Sequence, residues 1–318
     1  MGILSGSIAC TRFNAAAPAE GPDFDAVAFR AIEPGSEVRE RAGVIPFEPG
    51  APYEIGKGRY AFRVRVDRRR PDPAAVRERL RELVATEREA TGAPYVGPKK
   101  RKDLRELAER ELIVHQAPRI HVIECVLDGA ILYVGTTAKA WLGLVLALLR
   151  QAEVAADWKA PWLDEAPEAD ELSEIVVPKE PGQSVHGCRF LRALLEDPEV
   201  MVEAETGSVR LATREARVTL AGGVLNELFR YLEDGAEILA AKIHLGAVPL
   251  RLDALSYRLS GVKLEAVRED HWTQALDARL EQLTAVWEQL DQKYAAVKER
   301  LGPAAPEVSV PAQVAEAR

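Results

Sequence analysis

Cysteine is scarce. The three present, Cys10, Cys125 and Cys188, are widely spaced and odd in number, which argues against a disulfide framework and points to buried thiols in a reducing compartment. Long apolar runs are missing as well, since the longest, AWLGLVLALL from Ala140 to Leu149, is about half a membrane span. The opening MGILSGSIACTRF satisfies none of three targeting patterns. It has no basic n-region and too short an apolar run for a signal peptide. Gly6 stands where myristoylation wants Ser or Thr, and Ser7 where a lipoprotein box before Cys10 wants an aliphatic residue. The expectation is a cytoplasmic protein with no membrane partner.

Catalytic signatures are missing too. His115, His121, His186, His244 and His271 form no HExxH pattern and have no cysteine cluster suited to zinc, so core or surface roles are expected for them. There is no GxSxG. Gly92 and Gly97 have P-loop spacing, but Pro98 replaces the required lysine and Lys99 replaces the hydroxyl that would reach magnesium. A nuclease would need clustered strand acids with a nearby lysine around magnesium. The only DxK strings, Asp157 to Lys159 and Asp291 to Lys293, fall in an expected linker and on the last helix. No catalytic residue, metal site or cofactor is expected.

What the chain does have is enough apolar content, 47% of 318 residues, for two ordinary cores. Its charge is uneven. Residues 57 to 110 carry 17 Lys and Arg against 9 Asp and Glu, net +8, so the remainder, with 25 basic and 41 acidic residues, is net -16. Such an electrostatic dipole admits a polyanion at one oriented or enclosed surface while the rest repels it.

The basic tract opens with RYAFRVRVDRRR, residues 59 to 70. Tyr60, Phe62, Val64 and Val66 alternate with Arg59, Ala61, Arg63, Arg65 and Asp67 at the period of a strand. One face is core and the other cationic, either a row of phosphate contacts or a solvated face whose arginines pair with acids across the strands. Asp72 and Pro73 then open a helix with Val76, Leu80, Leu83 and Val84 on its buried side, ending at Thr91 and Gly92. A second helix, KKRKDLRELAEREL, turns Leu104, Leu107, Ala108 and Leu112 inward. Lys99, Lys100, Arg101 and Lys102 crowd its positive end, which disfavours the helix unless an anion is nearby. The competing reading is a solvated lysine turn ahead of the helix proper.

Beyond the tract, PRIHVIECVL and AILYVG flank Asp128 and Gly129, a type I′ hairpin signal, and TTAKAWLGLVLALLRQ reads as a buried helix capped by Thr136 or Thr137. These complete an N-terminal domain over residues 1 to 151. Residues 152 to 183, with nine acids, two lysines and four prolines, read as an acidic linker. A C-terminal domain over 184 to 301 starts with a helix near CRFLRALLED. Strands follow around Glu205 to Gly207, then a short helix LNELFRYLEDG, then the strands AEILAAKIHL and PLRLDALSYRLSG. In its last helix Leu276, Leu280, Leu283, Trp287, Leu290, Tyr294, Val297 and Leu301 make a heptad seam. The seam docks either on its own domain or on a partner helix. If the latter, Leu283, Trp287 and Leu290 are dimerisation residues. Residues 302 to 318 read as a disordered tail.

The strings LSGSIACTRF, KKRKDLRELAEREL, DGAILYVGTT with LALLR, GCRFLRALLED and HWTQALDARLEQL, in this order, resemble the recombination-associated protein RdgC family. The resemblance runs over most of residues 1 to 301. It implies a ring-shaped homodimer of mixed α/β structure that encloses double-stranded DNA without sequence preference, is associated with the nucleoid, and limits access of a RecA-type recombinase. The sequence departs from the family near Glu111 to Val114, where no aromatic stands to help close a ring. A second basic element has at best Arg210, Arg214 and Arg217 as counterparts.

The expectation is therefore an α+β fold, with mixed or antiparallel sheets, packed helices and a long C-terminal helix. Its function is sequence-independent DNA binding by Arg63, Arg65, Arg68, Arg69, Arg70, Lys99, Lys100, Arg101, Lys102 and Arg105. The alternative is a protein-interaction module whose basic tract docks an acidic partner, possibly its own second subunit, and a metal-dependent nuclease stands third.

Overall fold

The computed structural model describes residues 2–4, 6–163, 175–202 and 207–301. The architecture is α+β, antiparallel strands with six α-helices among the described residues, the last of them long. These residues divide between two compact units, one drawn from 1–14, 131–139 and 157 onward, the other from 15–130 and 140–156. The division is not the linear one read from the sequence, because the first strand belongs with the C-terminal half.

In the first unit, β1 (Ile8–Ala16) lies between β13 (Arg258–Val262) and β6 (Ile131–Val134). The sheet continues from β13 through β12 (Val248–Asp253), β11 (Glu237–Leu245) and β9 (Ser208–Ala212) to β10 (Arg217–Ala221), with β8 (Val200–Met201) also on β11. Helices α4 (His186–Leu195), α5 (Leu228–Glu233) and α6 (Trp272–Val297) complete the unit. The heptad seam of α6 is filled by its own chain. Leu276, Leu283, Trp287 and Leu290 have no exposed surface, and an aromatic cluster of Trp162, Phe190, Tyr257, Trp287 and Tyr294 closes over them, with Tyr257 and Trp287 centroids 5.1 Å apart. Leu283, Trp287 and Leu290 are therefore core residues of their own chain, the first of the two readings of the seam. Arg279 interrupts the apolar pattern yet is buried, donating from Nε to the Ile3 carbonyl and from Nη2 to the Gly6 carbonyl, both at 2.8 Å.

In the second unit, β4 (Arg59–Arg68) runs antiparallel between β2 (Glu40–Pro46) and β5 (Arg119–Asp128), and the short β3 (Glu54–Gly56) folds back on β4. Helices α1 (Pro73–Thr91), α2 (Pro98–Ile113) and α3 (Lys139–Gln151, all but its first residue) belong here. Helix α1 has the bounds its sequence announces: the Asp72 side chain accepts from the Ala74 N–H at 3.1 Å, Pro73 occupies the first turn, and Gly92 ends it with φ +64°. The turn after β5 is not type I′, which needs positive φ at both central residues. The two residues between β5 and Ile131 are Gly129 and Ala130, one position on from the Asp128 and Gly129 expected, and of these only Gly129, at φ +58°, has it.

The acidic linker is a strand at its start, β7 (Ala155–Trp158), and Ala160, Trp162 and Val176 are buried. Residues 164–174, the expected turn at Glu205 and Thr206, and the expected tail at 302–318 lie outside the described residues. No helix among the described residues is long and apolar enough to cross a membrane. All three cysteines are buried free thiols, and burial pushes the Cys10 thiol up to about 12, which leaves it protonated and unreactive at neutral pH.

Candidate nucleic-acid interface

The arginines of β4 are already occupied. Arg59 donates from Nε and Nη2 to the two oxygens of Asp128, each at 2.9 Å, and Arg63 donates from Nη2 to Glu124 at 3.0 Å. Both acids stand directly opposite their arginines on β5. Arg65 is held bidentate by Asp67 two residues along its own strand, at 2.7 and 2.9 Å, and Arg68 pairs with Glu40 directly opposite on β2. Aromatic rings cover the same guanidinium groups, Phe47 under Arg63 at 4.3 Å, Phe29 under Arg65 at 4.5 Å and Trp141 under Arg68 at 5.1 Å.

Arg69 is 6% exposed and donates to the carbonyls of Ser36 and Glu33, pinning the loop before β2. It has no room for a phosphate. Arg70 is exposed and has no acid partner among the described residues. A phosphate approaching Arg63, Arg65 or Arg68 would have to displace a carboxylate that then stays close by, exchanging one charge-assisted hydrogen bond for another and adding repulsion. Neutralisation of Arg59, Arg63 and Arg68 draws on acids from outside the basic tract, namely Asp128, Glu124 and Glu40, whereas Asp67, which holds Arg65, lies within it.

The helical hairpin is different. Arg79 joins the helices near their base, donating to Glu111 at 2.6 Å, and Lys100 joins them near the other end, 3.1 Å from Glu87. The hydrogen bond from Arg79 holds the Glu111 carboxyl below the usual carboxylate range. Arg39 to Glu109 at 3.0 Å and Arg110 to Glu37 at 3.8 Å tie α2 to the loop before β2. A 19-residue α1 carries the far end roughly 28 Å from the base.

At that end charge is not balanced. Residues 88 to 102 hold five basic side chains, Arg88, Lys99, Lys100, Arg101 and Lys102, and one acid, Glu89. All five are exposed. Lys100 has Glu87, and Lys102 and Arg105 have the neighbours Glu106 and Glu109 at 3.9 and 3.4 Å along the helix. Arg88, Lys99 and Arg101 have no carboxylate within 4.0 Å among the described residues. The lysines belong to the helix, since Pro98 is its first residue. The first turn holds no acid and Gly97 offers no side-chain cap, so the helix dipole is opposed by four cations in succession. Sequence reasoning did not single out Arg88, although its place beside the helix end at Thr91 was legible.

The structure thus brings Lys99, Lys100, Arg101, Lys102 and Arg105 together on one helix, and holds Arg63, Arg65, Arg68 and Arg69 in internal pairs. Arg210, one of the three C-terminal counterparts, pairs with Asp253 at 3.4 Å. Leu107, expected to face inward, is 41% exposed, and Leu80, Leu83 and Val84 are only half-buried. No group of three or more metal-ligating side chains occurs among the described residues. The chain matches no known family model, and no curated protein matches it.

Proposed function

We propose that the protein binds DNA without sequence preference through the end of the α1–α2 hairpin, with Lys99, Lys100, Arg101, Lys102 and Arg88 contacting phosphates and Arg105 as a flanking charge along α2; Arg70, at the base of the hairpin, lies outside this site. The observation that carries this reading is the imbalance of five cations against one acid over residues 88 to 102, on a helix end that its own residues oppose electrostatically. Phosphate contact relieves that opposition. No feature of the hairpin offers base-edge discrimination, so contact is with the backbone. The RdgC-like strings support the same reading, because KKRKDLRELAEREL is the sequence of α2. The homodimeric ring around duplex DNA, the limiting of a RecA-type recombinase and a place on the nucleoid are parts of the proposal that rest on that resemblance.

Titration of two unrelated random-sequence duplexes at several salt concentrations tests it. Equal affinities that fall steeply with salt are expected. A marked preference for one duplex, or no binding at low salt, would overturn it.

A second reading, a protein-docking surface, is favoured by Ile120 and Val122. They lie on one face of β5, 54% and 45% exposed, opposite Asp67 and Arg65. Two exposed branched apolar residues side by side suit a protein contact, the second subunit included. Ile120→Ser with Val122→Ser would then lower the mass in solution and leave DNA affinity per subunit intact.

A further inference from the structure

We infer that Tyr95 is a stacking platform for an unpaired base, so that the hairpin end takes single-stranded nucleic acid, with Arg88, Lys99 and Arg101 on the flanking phosphates. This rests on the reading of the hairpin as a DNA contact. Tyr95 lies in the six-residue connection between α1 and α2 and is 75% exposed. It makes no hydrogen bond or ring contact with any described residue. Five of the other six tyrosines are spent internally, Tyr53 and Tyr60 on Phe24, Tyr133 on Thr284, Tyr257 on Asp291 and Trp287, and Tyr294 on Phe190, and the sixth, Tyr231, is half-buried where Tyr95 is exposed.

The surroundings of the ring suit a strand of nucleic acid. A connection bounded by Gly92 and Gly97, with Pro94 and Pro98 inside and after it, lets a sugar–phosphate backbone approach closely at two points and loses little freedom on binding. Cations lie on both sides in sequence, Arg88 before the ring and Lys99 and Arg101 after it, all exposed. An aromatic face open to solvent and flanked along the chain by unpaired cations suits the way proteins hold single strands without sequence preference, bases stacking and phosphates neutralised separately. A duplex buries its base faces, so it offers this ring nothing except at an end or gap.

The test compares wild type with Tyr95→Ala and Tyr95→Phe on three probes at fixed salt: an oligothymidylate of about 20 nucleotides, an abasic strand of equal length, and a closed-end duplex. Tyr95→Ala should weaken oligothymidylate binding about 5- to 100-fold without changing its salt slope, since stacking releases no counterions. Tyr95→Phe should bind as wild type, and neither variant should differ from it on the abasic strand or duplex. Unchanged oligothymidylate affinity in Tyr95→Ala, a phenylalanine variant as weak as the alanine one, or an equal loss on the abasic strand would each overturn the inference while leaving backbone binding standing. A wild-type protein that binds none of the three overturns the inference and the proposed function together.

Discussion

Arg63 and Glu124 face each other across β4 and β5, Nη2 to Oε1 3.0 Å, with the Phe47 ring beneath the guanidinium. This pair and its neighbours decide what the arginine-rich strand does. It holds the sheet together, and the free positive charge of the tract is left at the end of the helical hairpin.

Replacing Arg63, Arg65 and Arg68 together by Ser should therefore cost stability rather than DNA affinity. Cross-strand and exposed ion pairs are worth about 0.2–1 kcal/mol each, so a loss of roughly 1–3 kcal/mol in urea unfolding is expected, with the affinity for random duplex unchanged.

A pair in the other unit, its arginine buried and its aspartate a third exposed, should be more sensitive. Arg12, 5% exposed, donates to both oxygens of Asp291 and lies over the rings of Tyr257 and Trp287, 5.4 and 4.5 Å from their centroids. Asp291 also accepts from the Tyr257 hydroxyl at 2.8 Å. Asp291→Leu leaves a buried cation uncompensated and should cost about 3–5 kcal/mol. The double variant Arg12→Met, Asp291→Leu should recover much of that loss, as denaturant midpoints will show.

Two glycines should respond in opposite directions. A methyl group at Gly187 would lie 1.9 Å from the Ala254 carbonyl oxygen, where α4 meets the sheet, whereas at Gly143, mid-α3 and exposed, it would meet nothing within 4 Å. Gly187→Ala should destabilise by about 3 kcal/mol or more, and Gly143→Ala should stabilise by about 0.5–1 kcal/mol. Thermal unfolding of the two variants reads both signs.

Acid should loosen α6 through one anchor. Lys293 donates to Asp197 at 2.7 Å and to Glu199 at 2.8 Å, and its hydrogen bond holds the Asp197 carboxyl below its ordinary value. A carboxyl depressed by folding contributes stability above its unfolded value, about 4, and that contribution is lost as pH falls through the folded value. Glu237 runs the other way, since burial raises it, and its contribution is present in acid and lost as pH rises through its folded value. Asp197→Asn should flatten the acid limb of the stability profile, and Glu237→Gln should raise stability at neutral pH.

Most local signals in the sequence were faithful, the type I′ turn after β5 and the inward Leu107 excepted, and long-range ones were invisible. The ends of α1 were legible because Asp72, Pro73 and Gly92 act within a turn, and the heptad seam because Leu276 through Tyr294 repeat on one helix. The partner of that seam was not legible, since Tyr257 and Trp162 reach it by tertiary folding. Pairing of the arginines was equally hidden. The strand pattern separates a core face from a cationic one, but which acid meets Arg63 depends on the register of β5, whose Glu124 lies 61 positions along the chain. Buried Arg279 was missed for the same reason, its acceptors being carbonyls of Ile3 and Gly6. At the candidate site, the basic cluster of α2 was read directly, and what the structure added was the subtraction of the β4 arginines.

The most direct test of the account is the salt dependence of duplex binding in paired variants. For Lys99→Ser with Arg101→Ser, the slope of log affinity against log salt should flatten by about 2 per subunit, with affinity reduced equally on unrelated sequences. For Arg63→Ser with Arg65→Ser, slope and affinity should match wild type. A flattened slope in the strand variant with an unchanged slope in the hairpin variant would contradict the account and return the interface to β4.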